Sequence, residues 1–154
     1  MKINNIVKKL ISISLILTIG FCSSFTNSEI VLAGKNPPST SSYVNLANGS
    51  YTTDNTTMKY KVYTNVCFKG VTKMKVCVSA VSVNNPNGMR NETDFYCYLY
   101  NTSTKKATKY TLSKYGGDVF YCTNMSASTK YYIYFVKTDD TKEYTFTATM
   151  SDAS

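Results

Sequence analysis

The cysteines are the side chains of this 154-residue sequence whose type and number point most directly to chemistry. Four of them follow the N-terminal segment described below: Cys67, Cys77, Cys97 and Cys122. An even number of cysteines in an exported chain favours two disulfides, and we expect the pairs 67–77 and 97–122. Two alternatives stay open. A four-thiolate zinc site usually has closely spaced cysteine pairs, which the spacings of 10, 20 and 25 residues do not provide. The second alternative is that all four cysteines are free, buried thiols.

The sequence offers little support for acid–base or nucleophilic catalysis. The sequence has no His, which excludes Ser-His-Asp and Cys-His sites and histidine metal clusters. The nearest of its 9 acids, Asp139, Asp140 and Glu143, make a turn, while Glu92 and Asp94 enter a strand. Nothing places two carboxylates across a cleft, as a glycosidase requires. We therefore expect no enzyme activity, no metal and no cofactor.

Tyrosine is over-represented, with 14 residues. Along predicted strands, tyrosines alternate with apolar residues, so that whole rows of them share one face. A tyrosine ring offers rigid apolar area with a polar tip, which suits recognition of sugars, proline-rich helices or protein surfaces. The alternative is that tyrosine simply forms half-exposed strands well. The predicted ligand-binding set is Tyr63, Tyr96, Tyr98, Tyr100, Tyr132 and Tyr134.

Lysine supplies nearly all of the positive charge. Lys59, Lys61, Lys73 and Lys75 are predicted to share the solvent face of a hairpin, where they would attract an anionic cell-surface polymer. The alternative is a solvated face that protects the sheet edge from aggregation. Nucleic acid is not expected as a partner, because no basic-aromatic motif of a known type occurs and the chain is predicted to be exported.

The N-terminus has the pattern of a secretory signal peptide. Three lysines within the first nine residues precede an apolar stretch over 10–21, and Val31 and Ala33 fit a cleavage site after Ala33. The apolar stretch is shorter than the roughly 20 residues of a membrane span. We expect a secreted protein; a retained anchor and a lipidated Cys22 are the alternatives. The lysine-, asparagine- and threonine-rich composition indicates a low-GC Gram-positive source.

The remainder alternates with a period of two, which is typical of strands. Residues 34–42 read as a Pro/Ser linker, and 43–154 as one antiparallel β-sandwich of jelly-roll type. The predicted strands are 43–52, 58–68, 74–83, 94–101, 107–112, 119–123, 131–137 and 144–151.

A hairpin of 58–68 with 74–83 would place Cys67 directly opposite Cys77, near disulfide range. In the first of these strands Met58, Tyr60 and Val62 are expected on the core face, and Cys67 on the solvent face. Cys97 is expected to point inward.

The second half of the chain carries a family resemblance. The stretch 130–136 (KYYIYFV), a short acidic turn and the stretch 144–148 (YTFTA) follow one another as two closing strands. This order over about 58–151 resembles the bacterial pre-peptidase C-terminal domain, including the collagen-binding modules of clostridial collagenases. The chain departs from that pattern in its four cysteines, and in Thr129 where glycine is usual. Residues 34–57 contain one acid, Asp54, so no calcium site is expected.

These observations together predict a small secreted binding module. Its ligand would be an extracellular protein, collagen-like by the resemblance, or a polysaccharide. The first alternative is a membrane-active toxin or bacteriocin-like protein. The second is an inhibitor or accessory factor of a secreted peptidase, for which loop 84–93 is the candidate segment.

Overall fold

A computed structural model describes residues 29–31, 34–84, 95–138 and 142–154. These residues form fourteen β-strands and one short 3₁₀ turn, Leu46–Asn48. The strands are β1 (Glu29–Val31), β2 (Tyr43–Asn45), β3 (Tyr51–Thr53), β4 (Thr56–Met58), β5 (Lys61–Tyr63), β6 (Cys67–Lys69), β7 (Met74–Val78), β8 (Ser82–Asn84), β9 (Phe95–Asn101), β10 (Lys106–Leu112), β11 (Val119–Cys122), β12 (Tyr131–Lys137), β13 (Glu143–Phe146) and β14 (Ala148–Asp152).

The front layer is a six-stranded sheet with the order β10-β9-β12-β6-β2, in which β5 also pairs with β12. Its centre is the antiparallel pair β9 and β12, which match over their full lengths from Phe95 opposite Lys137 to Asn101 opposite Tyr131. Strand β10 folds back on β9 through a tight turn, in which Lys105 has φ of 61°. The Asn101 side-chain oxygen accepts hydrogen bonds from the backbone N–H groups of Ser103 and Thr104, which fixes the hairpin register.

The back layer consists of two sheets, with the orders β1-β3-β14-β7-β11 and β4-β13-β8. The first sheet contains the order β3-β14-β7, and the second has the order β4-β13-β8. The strands at equivalent places in the two orders follow one another in the chain: β3 and β4, β13 and β14, and β7 and β8. Three long strands therefore bend together, and each contributes to both sheets.

Hydroxyl groups fill the gaps in the hydrogen-bond ladder at this bend. Thr53 Oγ1 accepts from the Ala148 N–H at 2.9 Å, and Ser79 Oγ accepts from the Thr147 N–H at 2.9 Å. The Ser79 N–H in turn donates to the Thr147 carbonyl at 2.9 Å. These contacts satisfy backbone donors that would otherwise be left without a ladder partner.

One core joins the layers. Phe95 of the front layer lies 5.0 Å from Phe146 and 5.8 Å from Tyr144 of the back layer, measured between ring centroids. At the other end Tyr51 packs edge-on against Phe68 at 5.2 Å. The prediction of an all-β antiparallel sandwich is confirmed.

Several predicted strands are divided more finely in the structure than the sequence predicts. The predicted strand 58–68 is broken into parts of β4, β5 and β6, and 74–83 and 144–151 are each split at the bend. Tyr60, predicted on the core face, is exposed. It falls between β4 and β5, where the alternation of a single strand does not continue.

The predicted hairpin of 58–68 with 74–83 is wrong. Strand β6 lies in the front layer and β7 in the back layer. Gly70, at φ of 90°, turns the chain, and Val71 buries its side chain in the core. The connection therefore crosses from one layer to the other instead of closing a turn within one sheet.

The predicted linker 34–42 follows the front layer. Gly34 exchanges two backbone hydrogen bonds of 2.8 Å with Tyr63, and the Ser42 carbonyl accepts from the Cys67 N–H at 2.9 Å. Strand β1 pairs in parallel with β3 and falls within the predicted signal peptide. The remainder of that segment, residues 1–28 and 32–33, lies outside the described residues, as does most of loop 84–93.

Candidate functional site

The six predicted tyrosines lie together on the outer face of the front layer. Strand β9 carries Tyr96, Tyr98 and Tyr100, the adjacent strand β12 carries Tyr132 and Tyr134, and β5 carries Tyr63. The residues between them on β9 and β12, such as Cys97 and Ile133, are buried in the core. This arrangement follows from strand alternation, in which one face packs inward and the other meets solvent. We call the six residues the tyrosine surface.

Cross-strand register determines how the rings meet. Tyr98 is opposite Tyr134, and Tyr134 is opposite Tyr63 on its other side; Tyr100 is opposite Tyr132. The rings of Tyr98 and Tyr134 are stacked, with centroids 4.8 Å apart and planes 3° from parallel. Tyr100 and Tyr132 are stacked at 4.7 Å and 20°. Directly opposite aromatic residues form cross-strand pairs that stabilise a sheet.

Tyr63 closes this set on the β5 side. Its ring lies 5.4 Å from Tyr134 and 6.1 Å from Tyr132 and is tilted against both. In each stacked pair the two rings cover part of each other's faces. A partner would therefore meet ring edges, phenol hydroxyls and the ring faces that are not shared within a pair.

Two lysines stand at opposite margins of the tyrosine surface. The Lys61 ammonium lies 4.5 Å from the ring centroid of Tyr134 and 4.9 Å from that of Tyr63. The Lys109 ammonium lies 3.5 Å from the ring centroid of Tyr96. These distances are typical of cation–π contacts. A hydrogen bond with Tyr63 raises the pKa of Lys61, so its ammonium stays charged.

Burial and neighbouring phenols change the acidity of the surface. Partial burial, followed by the proximity of Tyr100, Tyr63 and Tyr134, raises the pKa of Tyr132 to about 12. Partial burial also raises the pKa of Tyr134, against the opposing effect of Lys61. These phenols therefore stay protonated near neutral pH and can donate hydrogen bonds as well as accept them.

The four predicted lysines do not form one basic face. Lys61 lies at the margin of the tyrosine surface, whereas Lys73 and Lys75 lie on the outer face of the back layer. There the Lys73 ammonium is 4.8 Å from the Tyr121 ring centroid. Lys59 pairs with Glu143 at 3.2 Å. The prediction failed because it rested on the hairpin of 58–68 with 74–83, whose strands lie in different layers.

Sequence reasoning missed Lys109 and a second aromatic group at the β2 edge. There the ammonium groups of Lys69 and Lys130 lie 4.0 Å and 4.7 Å from the Tyr43 ring centroid. The turn signal at 101–104 predicts that Lys109 lies next to the β9 tyrosines, and the observed turn at 102–105 sets it opposite Tyr98. The contact at Tyr43 depends on the parallel pairing of β2 with β6, for which the sequence carries no signal.

The four cysteines of the described residues are all free, so both predicted disulfides are wrong. Cys67 is opposite Tyr43 in the front layer, and Cys77 is opposite Val119 and Thr149 in the back layer. Cys97 and Cys122 belong to facing sheets. The neighbouring Cys122 contributes to the raised pKa of Cys97, but the two sulfurs are not joined.

The free thiols are not equivalent. Cys97 is fully buried, and burial raises its pKa well above the ordinary value. Burial raises the pKa of Cys122 to about 11, although a hydrogen bond with Tyr110 opposes the shift. Cys67 has the predicted solvent-side orientation, but residues of 34–42 cover it, and its thiol lies 3.8 Å from the Ser39 carbonyl. Burial raises the pKa of Cys67, and the positive charge of Lys130 partly opposes this shift.

Within the described ranges, no three Cys, Asp or Glu side chains lie close enough together to hold a metal ion. The same part of the chain contains no helix that is long and apolar enough to cross a membrane.

Comparison with known proteins found no relative: no protein-family model, no curated protein and no solved structure matches the chain. The resemblance to the pre-peptidase C-terminal domain stays a prediction.

Proposed function

We propose that this chain is a secreted, non-catalytic binding module that holds an extracellular polysaccharide on its tyrosine surface. The observation that supports this proposal is the gathering of Tyr63, Tyr98, Tyr100, Tyr132 and Tyr134 into one contiguous set of rings in contact. Rings locked by their neighbours lose little conformational freedom on binding, which lowers the entropic cost of association.

The shape of the tyrosine surface favours a polymer over a small molecule. It lies on the open face of a sheet and covers three strands, about 10 Å across and about 13 Å from Tyr96 to Tyr100. Small-molecule sites are usually concave and enclose their ligand. A polysaccharide chain can lie along such a face, pack its C–H groups on the ring edges and exchange hydrogen bonds between its hydroxyls and the phenols.

A collagen-like protein is the second candidate ligand. The resemblance of 130–148 to collagen-binding modules favours it, and tyrosine surfaces also suit proline-rich helices. The membrane-active alternative has less support, because the outward tyrosines carry hydroxyl groups and are already stacked on one another.

Retention on solid ligands tests the proposal. The purified protein would be incubated with cellulose, chitin, peptidoglycan and insoluble collagen, and with anionic liposomes, and the unbound fraction measured at several protein concentrations. We expect saturable retention by at least one polysaccharide. Retention by collagen alone would favour the protein-ligand alternative, and retention by liposomes alone the membrane-active one. Retention by none of them, together with no binding to an acidic polysaccharide, would contradict the proposal.

A further inference from the structure

Among the described residues, the charged side chains that face outward beside the tyrosine surface are lysines. On the strands of the front layer, the outward positions next to the tyrosines are occupied by Lys61, Val136, Ala107, Lys109 and Thr111. No Asp or Glu occupies an outward position on these described strands. The acids of 92–94 and 139–140 lie outside the described residues.

The two lysines are placed for a ligand that crosses the strands. Lys109 lies on β10 and Lys61 on β5, so β9 and β12 lie between them. With about 4.8 Å between neighbouring strands, their backbones are about 14 Å apart. Each ammonium leans inward over a ring of the neighbouring strand, Lys61 over Tyr134 and Lys109 over Tyr96. A polyanion lying across β9 and β12 can therefore place carboxylates at both ammonium groups.

The lysines stay available to a ligand although they contact rings. Both are exposed, and a cation over an aromatic face keeps its other N–H donors free to face solvent. Neither has a carboxylate partner among the ion pairs of the described residues, in which Lys59 is paired with Glu143. A carboxylate would therefore gain charge-assisted hydrogen bonds without displacing an existing ion pair.

We propose that the ligand of the tyrosine surface is an acidic polysaccharide whose sugar carboxylates bind Lys61 and Lys109 while its rings pack on the tyrosines between them. This inference rests on the proposed function and specifies its ligand class. Carboxylates fit the surface better than neutral sugars because the outward positions on the described front-layer strands carry Lys61 and Lys109 and no acid.

Homogalacturonan offers a matched pair of probes, because methyl esterification removes the carboxylate charge and leaves the sugar chain unchanged. Binding of the full protein to the de-esterified and the highly esterified forms would be compared in low salt by affinity electrophoresis. We expect the de-esterified form to bind at least roughly tenfold more tightly, and the difference to shrink as salt screens the charges.

Paired variants test whether the two lysines are responsible. Lys61→Gln with Lys109→Gln should reduce binding of the de-esterified polymer at least about tenfold. Lys73→Gln with Lys75→Gln removes the same charge from the opposite layer and should leave binding within about twofold. Thermal unfolding would verify that both variants are folded.

The possible failures are distinguishable. Equal binding of both polymers would overturn the acidic ligand and leave the binding module standing. Equal losses in the two double variants would show attraction by net charge alone, which also overturns the assignment. If the protein binds neither form, the acidic-polysaccharide inference is wrong; if it also binds no polysaccharide of the retention panel, the proposed function is wrong too.

Discussion

The burial of each cysteine side chain determines whether its thiol can react. Cys77 is partly exposed on the back layer, whereas Cys97 and Cys122 are buried, and burial raises the pKa of both. The thiolate is the reactive form, so a raised pKa combined with burial makes a thiol inert at neutral pH.

Alkylation of the native protein at about pH 8, followed by mass spectrometry of its peptides, should therefore modify Cys77 well before Cys97 or Cys122. In denaturant without reductant, all should be modified. Cysteines that stay unmodified in denaturant until reductant is added would instead establish a disulfide and contradict the free thiols.

The raised pKa of Tyr132 makes the free energy of unfolding depend on pH in the alkaline range. Its pKa is raised from the ordinary value of 10 to about 12, so between these values the folded state holds a proton that the unfolded state has released. The free energy of unfolding therefore falls as the pH rises through this range, and the contribution of Tyr132 is intact below pH 10.

Urea unfolding of Tyr132→Phe would isolate this effect. The variant lacks the titrating hydroxyl, so its unfolding midpoint should fall less between pH 10 and 12 than that of the wild type. Tyr115→Phe, at an exposed position, serves as the control and should follow the wild type. Identical slopes for the wild type and Tyr132→Phe would contradict the raised pKa.

At the scale of elements, the sequence predicts the second half of the chain better than the first. Predicted strand 131–137 agrees with β12 residue for residue, and 94–101 and 107–112 agree with β9 and β10 within one residue at an end. Strands β9 and β12 alternate between buried and half-buried residues, and β9 is joined to β10 by a short turn with its own sequence signal. The tyrosine surface could be predicted for the same reason, since two of its three strands are β9 and β12.

The bend in the back layer could not be predicted in this way. Residues 144–151 keep a period of two across Thr147, so alternation gives no sign that the strand changes sheet there. The bend becomes evident only when the hydroxyls of Thr53 and Ser79 are seen to replace ladder hydrogen bonds, and these partners are distant in sequence.

The bend therefore depends on Thr53. Thr53→Val keeps the side-chain shape but leaves the Ala148 N–H without its buried acceptor, which should cost about 1–3 kcal/mol of unfolding free energy. Thr57→Val removes a hydroxyl that is hydrogen-bonded to Thr145 at the exposed surface, and should stay within about 0.5 kcal/mol of the wild type. Equal effects in urea unfolding would show that the buried hydroxyl is not needed.

At the scale of the whole molecule, the sandwich presents two different outer faces. The front one carries the tyrosine surface with Lys61 and Lys109, and the back one carries Lys73, Lys75 and the exposed Tyr121. The back face thus provides a tyrosine next to a lysine that lies outside the proposed site. A comparison between the two faces therefore distinguishes specific recognition by the tyrosine surface from nonspecific binding by an aromatic, basic protein.

The most direct test is a depletion isotherm for the wild type, Tyr98→Ala and Tyr121→Ala on the polysaccharide that retains the protein. Tyr98→Ala removes one ring of a stacked pair and should weaken binding by roughly tenfold, as expected when a central aromatic contact is truncated. Tyr121→Ala should stay within about twofold, and thermal unfolding would confirm that both are folded. Equal affinities for folded Tyr98→Ala and wild type, or an equal loss in Tyr121→Ala, would contradict binding at the tyrosine surface.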